Sequence, residues 1–297
     1  SQILSDTIFL FIFVSSLLFL LKFYKKSSSI YLLALSGFSL GLSAYVRAAT
    51  FPLIFLCLPI IFLIINSKGF DVKKSLFSLI IFFICSLMPL SDRLKNNIEN
   101  YNTLSLTSQS GSHVAYWMVP GVLSINENYN RQKAIEYIKG RVDSEGGLMG
   151  QPYRDSNKLL KVSIGILSEQ SMFDILYAWS RSTFINIVSS AVLIDNRVRN
   201  LEHFSFAEEG KLFKWMIKNT SNKESRTYLF VLLISVFLSL FSFLSLFIGL
   251  YYLLKFNYKL GIMGILIIMY FSLLTGPTIS PKYCMPFLPI LLYLQGM

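Results

Sequence analysis

Six nearly uninterrupted apolar runs dominate the chain: residues 3–21, 29–46, 48–65, 75–90, 228–254 and 260–275. Crossing the hydrocarbon of a bilayer as a helix takes ~17–25 mostly apolar residues, and each run meets that length or comes close. A seventh run, 283–294, is shorter. Only 14% of the 297 residues are charged and 54% are hydrophobic, where a soluble domain carries ~25% charged residues. The expected fold is therefore all-α: a polytopic integral membrane protein of about six to seven transmembrane helices. Its expected divisions are 1–90 (helices one to four), 91–227 (a largely helical outer segment between the fourth and fifth spans) and 228–297 (the C-terminal helices).

The polar gaps set an orientation. "KFYKK", "SKGFDVKK" and "KFNYK" hold Lys22, Lys25, Lys26, Lys68, Lys73, Lys74, Lys255 and Lys259 against one acid, Asp71. Alternate gaps hold Arg47 and Lys282, with Asp6 near the start. Short basic loops stay in the cytoplasm, so the eight lysines are expected inside. Asp6, Arg47, Lys282 and segment 91–227 are then expected outside. That segment's 17 basic and 14 acidic residues do not disturb the assignment, because long segments translocate regardless of charge. The net charge of +11 thus follows from topology, and nucleic acid is not an expected partner.

No initiator Met, basic n-region or small-residue cleavage site opens the chain, so Ser1 is not expected to begin a signal peptide. An internal piece of a larger membrane protein is the expectation.

Within the outer segment, "RQKAIEYIKGRV" places Ala134, Ile135 and Ile138 at helical spacing. "DSNKLLKVSIGIL" carries an Asp/Ser cap signal and is also expected to be helical. The glycine-rich "SEGGLMGQP" between them is expected as a loop. Residues 168–194 are mostly aromatic or aliphatic, with Gln170, Asp174 and Arg181 on one face. That pattern predicts a helix lying in the membrane interface, and a further full span there would break the charge alternation.

Soluble-enzyme signatures are absent: no Walker A, GxGxxG, GxSxG or HExxH occurs. Cys57, Cys85 and Cys284 fall in apolar runs and are expected as buried small hydrophobes, with no zinc or disulfide framework. "NTS" at Asn219 matches a glycosylation tripeptide, and His113 in "SQSGSHVAYW" is an outer loop residue. What remains is one acid at an outer helix end, Asp6, and two outer cations, Arg47 and Lys282. Asp6 reads either as a first-turn acid with Ser5 as cap or as a carboxylate that binds or activates an acceptor. Arg47 reads either as an interfacial anchor or as a clamp for an anionic lipid phosphate, whose developing charge cations stabilise.

These residues also carry a resemblance. "SQILSDTIFLFIF" followed by "GFSLGLSAYVRAATFPLIFLCLPI" resembles the polytopic glycosyltransferases of the GT-C superfamily, nearest to the bacterial branch related to dolichyl-phosphate-mannose–protein mannosyltransferases. "PLSDRLKNN", "LSLTSQSGSHVAYW", "AIEYIKGRV" with the following helix, and "SPKYCMPFLPILLYL" are similar to further stretches of that family. Ala48 stands where the family has proline, and Lys282 where arginine is commoner; the family's first outer loop, with its principal catalytic acid, would lie before Ser1.

The resemblance implies a multi-pass enzyme of the bacterial inner membrane. It would move a sugar from a polyprenyl-phosphate donor to a lipid, glycan or protein acceptor, with inversion. It assigns Asp6 as catalytic, Arg47, Lys282 and Tyr283 to the donor phosphate, and Arg93 and His113 to the acceptor or outer loop. It allows a divalent cofactor (Mg or Mn), which no residue pattern here demands. A polysaccharide polymerase or ligase, using outer arginines and histidine, is the alternative enzyme. A transporter or flippase component is the alternative of another class, although no acid lies mid-span and no inverted repeat is visible.

Overall fold

The computed structural model describes residues 2–25, 29–66, 69–125, 130–188, 196–204 and 211–296. Every regular element among them is helical. Lys26, Lys68 and residues 189–194 lie outside the described residues, as does the side chain of Lys282. Four helical stretches are long and apolar enough to cross a membrane: Ser5–Lys25, Ala48–Asn66, Val72–Tyr101 and Lys223–Thr275. Ile30–Val46 is apolar and slightly shorter. Their outward faces are greasy, with Phe11, Leu63, Phe77, Phe237, Phe241 and Phe247 all more than half exposed. Water would not tolerate so much contiguous apolar surface, so membrane association is the natural setting.

The chain packs as two compact units, Ser1–Tyr116 with Gln132–Ser168, and Trp117–Arg131 with Glu169–Met297. In the first, α1 (Gln2–Lys25) lies against α2 (Ile30–Val46). Buried Ser16 and Ser36 exchange hydrogen bonds, each hydroxyl donating to the other's backbone carbonyl at 2.8 and 3.0 Å. Asp6 on α1 meets Arg47 just after α2, so the two helices run antiparallel. After α3 (Phe51–Asn66), α4 (Val72–Leu87) returns parallel to α2. Gly37 faces the carbonyl of Phe82 and Gly41 that of Ser86. This is small-residue packing: without side chains at 37 and 41 the two backbones approach closely, as membrane helices require when lipid offers no hydrophobic drive.

Asp71 caps α4, its carboxylate accepting from the Lys74 amide at 2.8 Å. The antiparallel–parallel order gathers the ends of α1 and α4 that carry Lys22, Lys25, Lys73 and Lys74 at one end of the bundle. Asp6 and Arg47 stand at the other, the length of α2 away, about 26 Å for 17 residues.

The expected boundary at residue 90 is not a break. A 3₁₀ turn, Met88–Leu90, passes directly into α5 (Ser91–Tyr101), because proline is tolerated in the first turn of a helix. Asn102, in the left-handed region at φ 51°, ends it. Then come α6 (Ser110–His113), a π-helical turn (Val114–Met118) and α7 (Val119–Leu123). The two stretches expected as helices are helical, as α8 (Arg131–Ser144) and α9 (Pro152–Ser168). α9 starts before the expected Asp/Ser cap, because the Asp155 carboxylate accepts from the Met149 amide in the glycine loop at 2.8 Å. The Gly111 amide donates to Ser156 Oγ at 3.0 Å, joining α6 to α9.

In the second unit α10 (Met172–Val188) is the helix expected within 168–194, with a later start. Ser171 Oγ accepts from the Asp174 amide at 3.1 Å, so Gln170 precedes the helix rather than sharing its face. Phe173, Leu176, Tyr177 and Phe184 form its exposed side. α11 (Asn196–Arg199) and α12 (Leu212–Ser221) precede α13 (Lys223–Thr275). The two expected spans 228–254 and 260–275 lie in α13 and are divided at Asn257, whose φ of −151° and ψ of 79° are not helical. Asn257 Oδ1 accepts from the Leu260 amide at 3.3 Å and so starts the second arm. The final run is helical only as a 3₁₀ stretch, Pro281–Phe287, and α14 (Leu288–Gln295). Gly249 admits the backbone of Leu294. The three cysteines are free thiols and half-buried, less enclosed than expected, since their helices turn outward faces toward the space a bilayer would fill.

Candidate functional site

The charged groups at the end of the first unit's bundle begin with the turn after α2. Arg47 is extended, with φ −134° and ψ 107°. Its amide donates to the Ser43 carbonyl at 2.8 Å, and its own carbonyl accepts from the Thr50 amide (3.1 Å) and hydroxyl (2.9 Å). Ser43 and Thr50 are fully buried and their hydroxyls meet at 3.3 Å. The backbone on both sides of Arg47 is thereby held.

The Arg47 side chain goes to Asp6. The guanidinium forms an ion pair with Asp6 Oδ1, the side chains being 36% and 16% exposed. That oxygen is buried and has no hydrogen-bond partner among the described residues, so Arg47 compensates its charge. The Phe9 ring, one turn from Asp6 and buried, lies 5.4 Å below the guanidinium. α1 already begins at Gln2, with no acid in its first turn. The reading of Asp6 as a first-turn acid capped by Ser5 is therefore replaced: Asp6 lies beyond the reach of the helix-end dipole, and its partner is a cation.

Arg93 of α5 joins the same end. Its Nη1 donates to the Tyr45 carbonyl at 3.2 Å, and its guanidinium lies 5.9 Å from the Tyr45 ring centroid. The last carbonyls of a helix lack partners within the helix, and a cation there also suits the dipole. Arg93 closes α2 two residues before Arg47. Asp6, Arg47 and Arg93 thus stand at the end of the bundle opposite the lysines.

The remaining expected residues are placed separately. His113 is half-buried in α6, whose amide at that residue donates to the Gln109 carbonyl at 2.9 Å. Nearby, Tyr116 has its phenol pKa raised, first by burial and then by the Asp143 carboxylate. Tyr283 belongs to the second unit, half-buried, its amide donating to the Ser280 carbonyl at 3.0 Å. Lys282 is in the same 3₁₀ stretch, its side chain undescribed. Asn219 is fully buried, with its amide donating to the Trp215 carbonyl at 2.9 Å, so this asparagine is not open to glycosylation. No group of three or more His, Cys, Asp or Glu side chains is assembled among the described residues.

Sequence reasoning missed a polar ladder on α10. Trp179 Nε1 donates to the Leu273 carbonyl (3.3 Å), Ser182 Oγ to Gly276 (3.0 Å) and Asn186 Nδ2 to Thr278 (2.8 Å). Asn186 Oδ1 accepts in return from the Ser280 amide at 2.7 Å. These bonds hold the non-helical segment after α13, where Gly276 has φ 63° and packs on Met118. The ladder holds the non-helical segment that leads into the 3₁₀ stretch carrying Tyr283. Its signal was the buried Ser/Asn pair at i, i+4, which the larger charges of Asp174 and Arg181 overshadowed. Compared with protein-family models, with curated proteins and with solved structures, the chain has no significant match.

Proposed function

We propose that this chain is part of a multi-pass glycosyltransferase of the bacterial inner membrane, using a polyprenyl-phosphate-linked sugar and an acceptor outside the cytoplasm. The observation that carries the reading is the Asp6–Arg47 ion pair, with Arg93 beside it, at the end of the bundle opposite Lys22, Lys25, Lys73 and Lys74. The lysines favour the cytoplasmic side, which leaves the pair on the outer side. There Arg47 holds the departing lipid phosphate. Asp6 receives or orients the acceptor hydroxyl, and displacement at the anomeric carbon inverts it. Segment 91–227 is extracytoplasmic on this reading, and Arg93 and His113 meet the acceptor from it.

Transfer of labelled sugar from a polyprenyl-phosphate donor, assayed with the full-length protein in proteoliposomes, tests the proposal. Arg47→Lys keeps a cation for Asp6 but loses the planar fork. Charge-assisted bonds contribute ~1.5–3 kcal/mol, so roughly tenfold to hundredfold weaker donor use is expected. Arg47→Lys equal to the wild type in donor affinity and turnover would leave Arg47 as an anchor and sink the clamp. Donor flux across the vesicle without sugar transfer would point instead to a transporter.

A further inference from the structure

The helix before the long apolar rod has an exposed apolar stripe with lysines along one edge. α12, Leu212–Ser221, turns Trp215 and Asn219 inward: Trp215 Nε1 donates to the Phe204 carbonyl at 2.7 Å, and Asn219 Oδ1 accepts from the Phe204 amide at 3.1 Å. Outward it shows Leu212 at 61%, Phe213 at 78% and Ile217 at 55% exposure. At 100° per residue Phe213 and Ile217 share one side, and Lys214 and Lys218 follow along one edge of it, Lys218 Nζ lying 4.3 Å from the Phe204 ring centroid. Over residues 211–226 there are five basic residues, Lys211, Lys214, Lys218, Lys223 and Arg226, against the single acid Glu224.

The helix is fastened to the rod. Arg226 Nε, in the first turn of α13, donates back to the Thr220 carbonyl at 3.2 Å, and Asn222 Oδ1 accepts from the Glu224 amide at 2.9 Å. His203 stacks on Tyr228 at 4.0 Å between centroids, tying the strap before α12 to the same turn. The apolar run of α13 starts at Tyr228. Wherever that run enters the hydrocarbon, α12 is carried to the headgroup layer beside it.

We propose that α12 docks in the headgroup layer of an anionic bilayer, with Leu212, Phe213 and Ile217 at the acyl boundary and Lys214 and Lys218 among lipid phosphates. An apolar stripe with lysines along one edge is the composition that partitions into an interface, and a basic stretch next to a membrane span is attracted by negative surface potential. Charge complementarity selects anionic lipid over a neutral surface. The proposal stands apart from the reaction proposed above.

Site-directed spin labelling tests it with the full-length protein, the three native cysteines changed to alanine and Phe213→Cys or Ile217→Cys carrying the label. Depth is read from relaxation by oxygen and by a water-soluble nickel chelate, in phosphatidylcholine vesicles and in vesicles that also contain phosphatidylglycerol. Labels at 213 and 217 should sit about 5–10 Å below the phosphates in the anionic vesicles. Adding Lys214→Gln and Lys218→Gln should bring both labels toward water. If Phe213→Cys fails to assemble, Ile217→Cys reads the same face. Equal depth in both lipids would overturn the anionic selectivity. Labels exposed to water in both would overturn the docking, and leave the stripe for an acidic polypeptide.

Discussion

Replacing Asp6 by Asn and Arg47 by Gln, singly and together, measures what holds the charged end of the bundle. Two unit charges about 4 Å apart attract by ~4 kcal/mol at an effective dielectric near 20. Exposed pairs retain only ~0.2–1 kcal/mol of this, whereas removing one partner of a buried pair costs ~3–5 kcal/mol. Here Asp6 is 16% exposed and Arg47 36%, so the pair lies between these limits, and a coupling of roughly 1.5–3 kcal/mol is expected. The two single changes should be unequal. Arg47→Gln strands the more buried charge and should cost more than Asp6→Asn, which leaves a cation that is one-third exposed. The double variant should then be less destabilised than the two losses combined. Unfolding by SDS in mixed micelles, followed by circular dichroism, gives the three free energies. Additivity within about 0.5 kcal/mol, or a larger loss for Asp6→Asn, would refute the claim that this ion pair compensates a buried carboxylate.

Gly41→Ala places a methyl on the Ser86 carbonyl and should destabilise by ~1–3 kcal/mol in the same unfolding assay; Gly165→Ala in α9, with nothing within 4 Å, should be neutral or stabilising. Equal effects would remove the close α2–α4 approach as a packing device. Asn257→Ala loses the cap of the second arm of α13 and should cost ~0.5–2 kcal/mol, while Asn257→Asp should preserve most of it. Tyr116, whose pKa is raised, keeps its proton above the pH at which an unfolded tyrosine loses it. The stability it contributes is therefore complete below about pH 10 and falls as pH rises toward the folded value. Absorbance titration of Tyr116→Phe against wild type isolates its midpoint, and Asp143→Asn should lower that midpoint only in part, because burial is the larger cause.

Part of the architecture was legible in the residues alone. Long apolar runs require helices in lipid, since every backbone polar group must then be satisfied within the segment. The polar interruption "KFNYK" marked where α13 breaks, and "SEGGLMGQP" marked the loop between α8 and α9, where Gly146, Gly147 and Gly150 take positive φ.

The sequence could not say which faces meet. In a soluble helix the apolar stripe names the buried side, but a helix that is apolar all round carries no such stripe. Burial in this bundle is set by small and hydroxylated residues: Ser16 against Ser36, Gly37 and Gly41 against Phe82 and Ser86. Asp6 and Arg47 stood out as costly charges near helix ends, yet their pairing depends on the register of α1 against α2, which only those contacts fix. Arg93 reaches the same end because α4 runs on through Pro89 into α5, where polarity alone placed a boundary. On α10, charge pointed to Asp174 and Arg181, but enclosure chose Ser182 and Asn186. A hydroxyl or amide buried beside an open backbone segment gains more from its hydrogen bonds than a solvated charge does, and only the tertiary structure reveals which side chains are enclosed.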